Sequence, residues 1–100
     1  MTVAVQDAYE RLLSSYKRGA YTRGETASAV LKLLHTCKFD QRVLLWAQFP
    51  DWLREQASAI LSTFDEAAEP FALRPADPLE QHRMLTELKR WWLSECGSMR

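Results

Sequence analysis

The residues Gly19-Ala20-Tyr21-Thr22-Arg23-Gly24-Glu25-Thr26 carry the glycine and threonine spacing of a phosphate-binding loop. In such a loop backbone N–H groups cradle the phosphates and a lysine meets the β and γ positions. Here Glu25 stands in the lysine's place, and the segment before Gly19 is patterned as a helix where that chemistry needs a strand. The same residues predict something else: Thr22 and Glu25 are spaced as a capping box, so the stretch reads as a turn into a helix. A metal site would draw on His35, Cys37, His82 and Cys96. On a helix His35 and Cys37 diverge by about 200°, and the chain has no Cys-x-x-Cys or His-x-x-x-His, so neither metal nor cofactor is expected. A Cys37 nucleophile would need a histidine and an acid beside it. With three glycines in the chain there is little material for an oxyanion hole, and the sequence reads as a non-enzyme.

Tryptophan is the more informative residue. Four occur in 100 residues, at 46, 52, 91 and 92. Indole combines a large apolar surface with one polar handle, which suits the centre of a protein interface. Trp52 lies roughly 110° from the middle of its helical stripe, and Leu93 about 120° from the middle of another. Two neighbours such as Trp91 and Trp92 are not expected both to point inward. Trp46, Trp52, Trp91 and Leu93 are therefore the candidate partner-facing residues, with the acidic residues Asp65, Glu66 and Glu69 as an orienting charge.

The elements that must position these residues are all helical. Val5, Ala8, Tyr9, Leu12, Leu13 and Tyr16 form one stripe of a first helix over 3–18, with Arg18 suiting its last turn and Gly19 its termination. Thr22 opens a second helix over 23–37, with Ala27, Val30, Leu31, Leu34 and Cys37 inward and His35 largely to solvent. Asp40 is expected to cap a short helix over 40–48. Its Val43-Leu44-Leu45-Trp46-Ala47 core is apolar all round, so it either sits inside the bundle or meets a partner. Pro50-Asp51 restarts the chain for a helix over 51–64, striped by Leu53, Ala57, Ile60, Leu61 and Phe64. The segment 65–76, with Pro70 and Pro75, is expected as a loop pinned by Phe71 and Leu73. Asp77-Pro78-Leu79-Glu80 then starts a last helix over 77–96, with Leu85, Leu88, Trp92 and Cys96 on one face and Met84 and Trp91 at its edge. No period-two run and no repeat occurs. The fold class is all-α, a compact single-domain bundle of four to five short helices.

Composition bounds the function. Thirteen basic residues balance thirteen acidic ones and 47% of the chain is apolar, as in one ordinary globular domain. No uncharged stretch approaches the roughly 20 residues that span a bilayer, and no secretory signal is visible, so a cytoplasmic location is expected. Two cysteines are too few for a disulfide scaffold and are expected reduced and partly buried. Residues 1–48 hold seven basic and four acidic side chains, residues 49–100 six and nine. Such halves complement one another. A nucleic-acid regulator using Arg11, Lys17, Arg18, Arg23, Lys32, Lys38 and Arg42 is the alternative, but the short third helix offers apolar residues where a reading helix needs polar ones. A small enzyme without a motif is a second alternative. The leading expectation is a protein–protein interaction module, an adaptor, inhibitor, immunity-type protein or self-associating subunit, whose partner is another protein or a second copy, with no small-molecule substrate in view. Nine arginines to four lysines make it similar in composition to many small bacterial helical proteins.

Overall fold

The computed structural model describes residues 3–65 and 77–95. These form five α-helices and no strand: α1 Val3–Lys17, α2 Arg23–Thr36, α3 Phe39–Ala47, α4 Asp51–Thr63 and α5 Asp77–Glu95. The all-α expectation holds, and each helix lies within one residue of its expected bounds. The anticipated loop at 65–76, apart from Asp65, and Cys96 lie outside the described residues. The chain divides into two compact units, Met1–Ala59 and Ile60–Arg100.

In the first unit α1 ends as its sequence requires. Gly19 takes φ +80°, its N–H donates to the Tyr16 carbonyl at 3.0 Å, and the Ala20 N–H reaches back to the Ser15 carbonyl at 2.9 Å. This pair of bonds is a Schellman closure, which a left-handed residue makes possible and a side chain at that position strains. The capping box follows. The Glu25 N–H donates to Thr22 Oγ1 at 3.1 Å and the Thr22 N–H to Glu25 Oε1 at 3.0 Å. The former phosphate-loop candidate is thus spent on ending one helix and starting the next.

α2 supplies the core: Thr26, Ala27, Val30, Leu31 and Leu34 are all fully buried. The Thr26 hydroxyl is satisfied by donating to the Thr22 carbonyl at 2.8 Å. Leu45, Phe49, Leu53, Ala57 and Tyr9 are the other buried apolar residues of this unit beside Cys37.

One buried group in this core is charged. Arg42 is 3% exposed, and its Nε donates to the carbonyls of Leu34 and Cys37, both at 3.1 Å, while Nη2 donates to that of His35 at 3.0 Å. A helix leaves its last carbonyls without partners and concentrates partial negative charge there. The guanidinium answers both needs, and its flat face lies 4.9 Å from the centre of the Phe39 ring. Asp40 is not the cap of α3. That position falls to Lys38, which makes no side-chain cap bond, while Asp40 Oδ1 accepts the Gln41 N–H at 3.0 Å within the first turn. The Arg42 N–H donates to the Lys38 carbonyl at 2.9 Å, so the first helical bond closes on Lys38, two residues ahead of Asp40.

In the second unit Leu61, Leu88, Trp91 and Trp92 are buried. Lys89 Nζ donates to the Phe64 carbonyl at 2.6 Å, and the Phe64 ring meets the His82 imidazole edge-on at 5.2 Å. Both adjacent tryptophans are 5% exposed, which corrects the expectation that one must point outward. Helical neighbours differ by about 100°, and a ring as long as indole can lie back along its helix over that angle.

Arg42→Ala should lower the unfolding free energy by about 3 kcal/mol, because the His35 and Cys37 carbonyls lose the guanidinium as donor and the Leu34 carbonyl keeps only the Cys37 N–H. Arg42→Lys should restore less than half of that, since a single ammonium cannot reproduce the planar fork. Urea unfolding followed by circular dichroism measures both, and wild-type stability in either variant contradicts the role given to Arg42.

Candidate interaction surface

α3 is the element from which a surface can be built. At about 100° per residue, Arg42 and Leu45 share one side of the helix and both are buried. With that side fixed inward, Phe39, Val43 and Ala47 step round the opposite side by about 40° each, and Leu44 lies further round beside Asp40. Phe39 is 65% exposed, Leu44 54% and Val43 46%; Ala47 and Asp40 are exposed too. Three large apolar side chains thus form a ridge on nine residues of helix, and a charged residue stands among them.

Trp46 borders this ridge and is half-buried. Its ring lies 5.1 Å from that of Phe49, which stacks on Tyr9 at 5.8 Å. The Tyr9 hydroxyl in turn donates to the Gln48 carbonyl at 3.1 Å, so the last turn of α3 is held to α1 by aromatic contact and one polar bond. Gln6 and Gln48 exchange two amide hydrogen bonds at 3.0 Å beside it.

Trp52 belongs to a separate aromatic group. It stacks on Tyr16 at 4.2 Å, and the Arg23 guanidinium lies over it at 5.8 Å while donating from Nε to the Tyr16 hydroxyl at 3.0 Å. That hydrogen bond is the main reason the Arg23 pKa is raised. A half-buried indole with a ring on one side and a cation nearby is occupied in joining α1, α2 and α4. Trp91 is buried, so its ring contributes no free surface; Leu93 is half-exposed on α5 and Asp65 is exposed after α4. Glu66 and Glu69 lie outside the described residues. The residues that sequence reasoning missed are Phe39, Val43 and Leu44. The all-round apolar run from Val43 to Ala47 was the signal, but it has no direction until Arg42 is known to face inward.

The basic residues of the first half are also rearranged. Arg42 is buried; Arg11, which pairs with Asp7 at 3.0 Å, and Arg23, which engages Tyr16 and Trp52, stay exposed, as do Lys17, Arg18, Lys32 and Lys38. Among the described residues no three His, Cys, Asp or Glu side chains gather closely enough to hold a metal ion. His35, expected largely in solvent, is half-buried.

Cys37 is a free, buried thiol that donates to the Leu33 carbonyl at 3.4 Å. Burial pushes its pKa up, and the nearby Arg42 charge offsets this only in part. Burial also raises the Tyr9 pKa, against a smaller opposing effect of Arg54. Both groups are acids whose folded-state pKa is raised, so folding favours their neutral forms. That contribution is whole below the ordinary thiol value of 9.0 and is lost as the pH climbs through the raised values. The thermal midpoint should therefore fall progressively above about pH 9, and less steeply in Cys37→Ala and Tyr9→Phe; parallel slopes in all three proteins contradict the assignment. Iodoacetamide should label native Cys37 slowly at pH 8 and rapidly in urea. Set against family models, curated proteins and solved structures, the chain matches none of them.

Proposed function

We propose that this chain is a non-enzymatic protein–protein interaction module whose working surface is the outer side of α3. The observation that carries this reading is the ridge of Phe39, Val43 and Leu44, exposed on a helix whose inner side is locked by Arg42 and Leu45. Trp46 widens the ridge at one edge. Scattered apolar residues are ordinary on a protein surface, but neighbours of this size on one short helix are the kind of patch that marks a binding site.

Magnitudes set what the ridge can do. Its apolar surface amounts to roughly 300 Å², which at about 25 cal/mol per Å² gives roughly 7 kcal/mol on burial. Association costs at least about 4 kcal/mol in lost freedom. The ridge alone therefore supports weak binding, and a tight complex needs polar contacts around it. A cytoplasmic, bacterial setting belongs to the same reading and suits a chain with a free buried thiol. No helix among the described residues is long and apolar enough to cross a membrane.

Full-length protein isolated gently from its own cell should retain a companion or migrate above its monomer mass by light scattering. Phe39→Ser and Leu44→Asp should each weaken that association by about 2 kcal/mol, roughly thirtyfold, because they act at the centre of the contact. Leu44→Asp, an exposed substitution, should shift stability by no more than about 0.5 kcal/mol, whereas Phe39→Ser also loses the ring contact with Arg42 and should lower it by about 1 kcal/mol. Association unchanged in the double variant overturns the reading.

A further inference from the structure

Resting on that proposal, we infer that the α3 ridge is occupied by an apolar groove of a different protein with a lysine or arginine at its lip, and not by a second copy of this chain. Three observations carry the choice.

The first is shape. Phe39, Val43 and Trp46 are spaced i, i+4 and i+7 on a convex helix. That is the spacing with which a helix seats its anchors in a concave groove. A second α3 offers another convex ridge.

The second is area. Roughly 300 Å² of apolar ridge falls well short of the roughly 800 Å² per partner that a stable interface buries. Laying ridge on ridge would cover less still, because two cylinders touch along a short crossing. A groove wraps the helix and reaches its flanks.

The third is charge. Asp40 stands on the exposed side among the ridge residues, with one carboxylate oxygen accepting the Gln41 N–H. No exposed basic residue lies on α3. Lys38, the nearest cation in sequence, is about 160° round the helix from Asp40. If two copies paired through antiparallel α3 helices, each Asp40 would lie against the Trp46 and Ala47 end of the other, desolvated with no counter-charge. In parallel pairing the two Asp40 carboxylates would come together. Burying an unpaired carboxylate is costly, so either arrangement is selected against, whereas a cation at the lip of a groove satisfies it.

The test places a photoreactive p-benzoylphenylalanine at Val43 of the full chain, in its own cell, with the same substitution at exposed Ser28 on α2 as control. After irradiation, mass spectrometry weighs the adducts. The expected result is one dominant adduct, absent from the Ser28 control, whose mass differs from twice the chain. It should fall at least tenfold when Leu44→Asp is added and about tenfold with Asp40→Lys, while circular dichroism stays as in the parent and the melting midpoint falls by no more than about 5 °C, the cost of losing the Asp40 carboxylate from the first turn of α3. An adduct at twice the chain mass overturns this inference and leaves the interaction module standing. An adduct that Leu44→Asp abolishes and Asp40→Lys spares overturns the basic lip. No adduct above the Ser28 control overturns both this inference and the proposal it rests on.

Discussion

The guanidinium of Arg42 sits where α2 runs out of hydrogen-bond donors, and much of the first unit is arranged around that fact. Cys37 N–H and Arg42 Nε both meet the Leu34 carbonyl, Arg42 Nη2 meets that of His35, and the Thr36 hydroxyl and the Cys37 thiol meet that of Leu33. The carbonyls of Leu33, Leu34 and His35 are thereby each given a donor, as buried main-chain groups must be. A charge is expensive to bury, and this one is tolerated because several strong donors face the negative end of a helix. The side chain also fixes the phase of α3. With Arg42 turned inward, Leu45 follows it into the core, and Phe39, Val43 and Leu44 have nowhere to go but out.

The aromatic residues take up what is left. Tyr9, Phe49 and Trp46 form one run of ring contacts beside the last turn of α3, and Tyr16, Trp52 and Arg23 form another. Each run ends in a polar atom that is satisfied, the Tyr9 hydroxyl on a carbonyl and the Tyr16 hydroxyl on Arg23. This matters because α1 covers its stripe only partly: Tyr9 alone is fully buried while Val5, Ala8, Leu12, Leu13 and Tyr16 are half-covered. Directional ring contacts hold a helix that has little core of its own.

Local signals were readable without coordinates. Gly19 after Arg18, Thr22 three residues before Glu25, and the spacing of Ala27, Val30, Leu31 and Leu34 act within one or two turns, and the helices begin and end where those residues say. What was not readable acts across the chain. Arg42 bonds to main-chain carbonyls, and a carbonyl leaves no mark in the identity of residues 34, 35 and 37, so a buried arginine looked like one more member of a basic face. Asp40 looked like a cap because aspartate caps helices, yet α3 begins two residues earlier, where the Lys38 carbonyl accepts the Arg42 N–H. The candidate surface inherits the same gap. Its residues stood in plain view, but their direction depends on Arg42.

Phe39 is where these threads meet. Its ring lies over the Arg42 guanidinium on one side and is largely open to water on the other. On the proposed reading, the residue that would greet a partner is also a neighbour of the group that finishes α2. Recognition and folding then share an address, and a lineage cannot readily retune one without disturbing the other. Drift at position 42 would be punished twice, once by the core and once by the partner. Change in binding preference would have to be bought at Val43 and Leu44, which touch the surface without touching the lock.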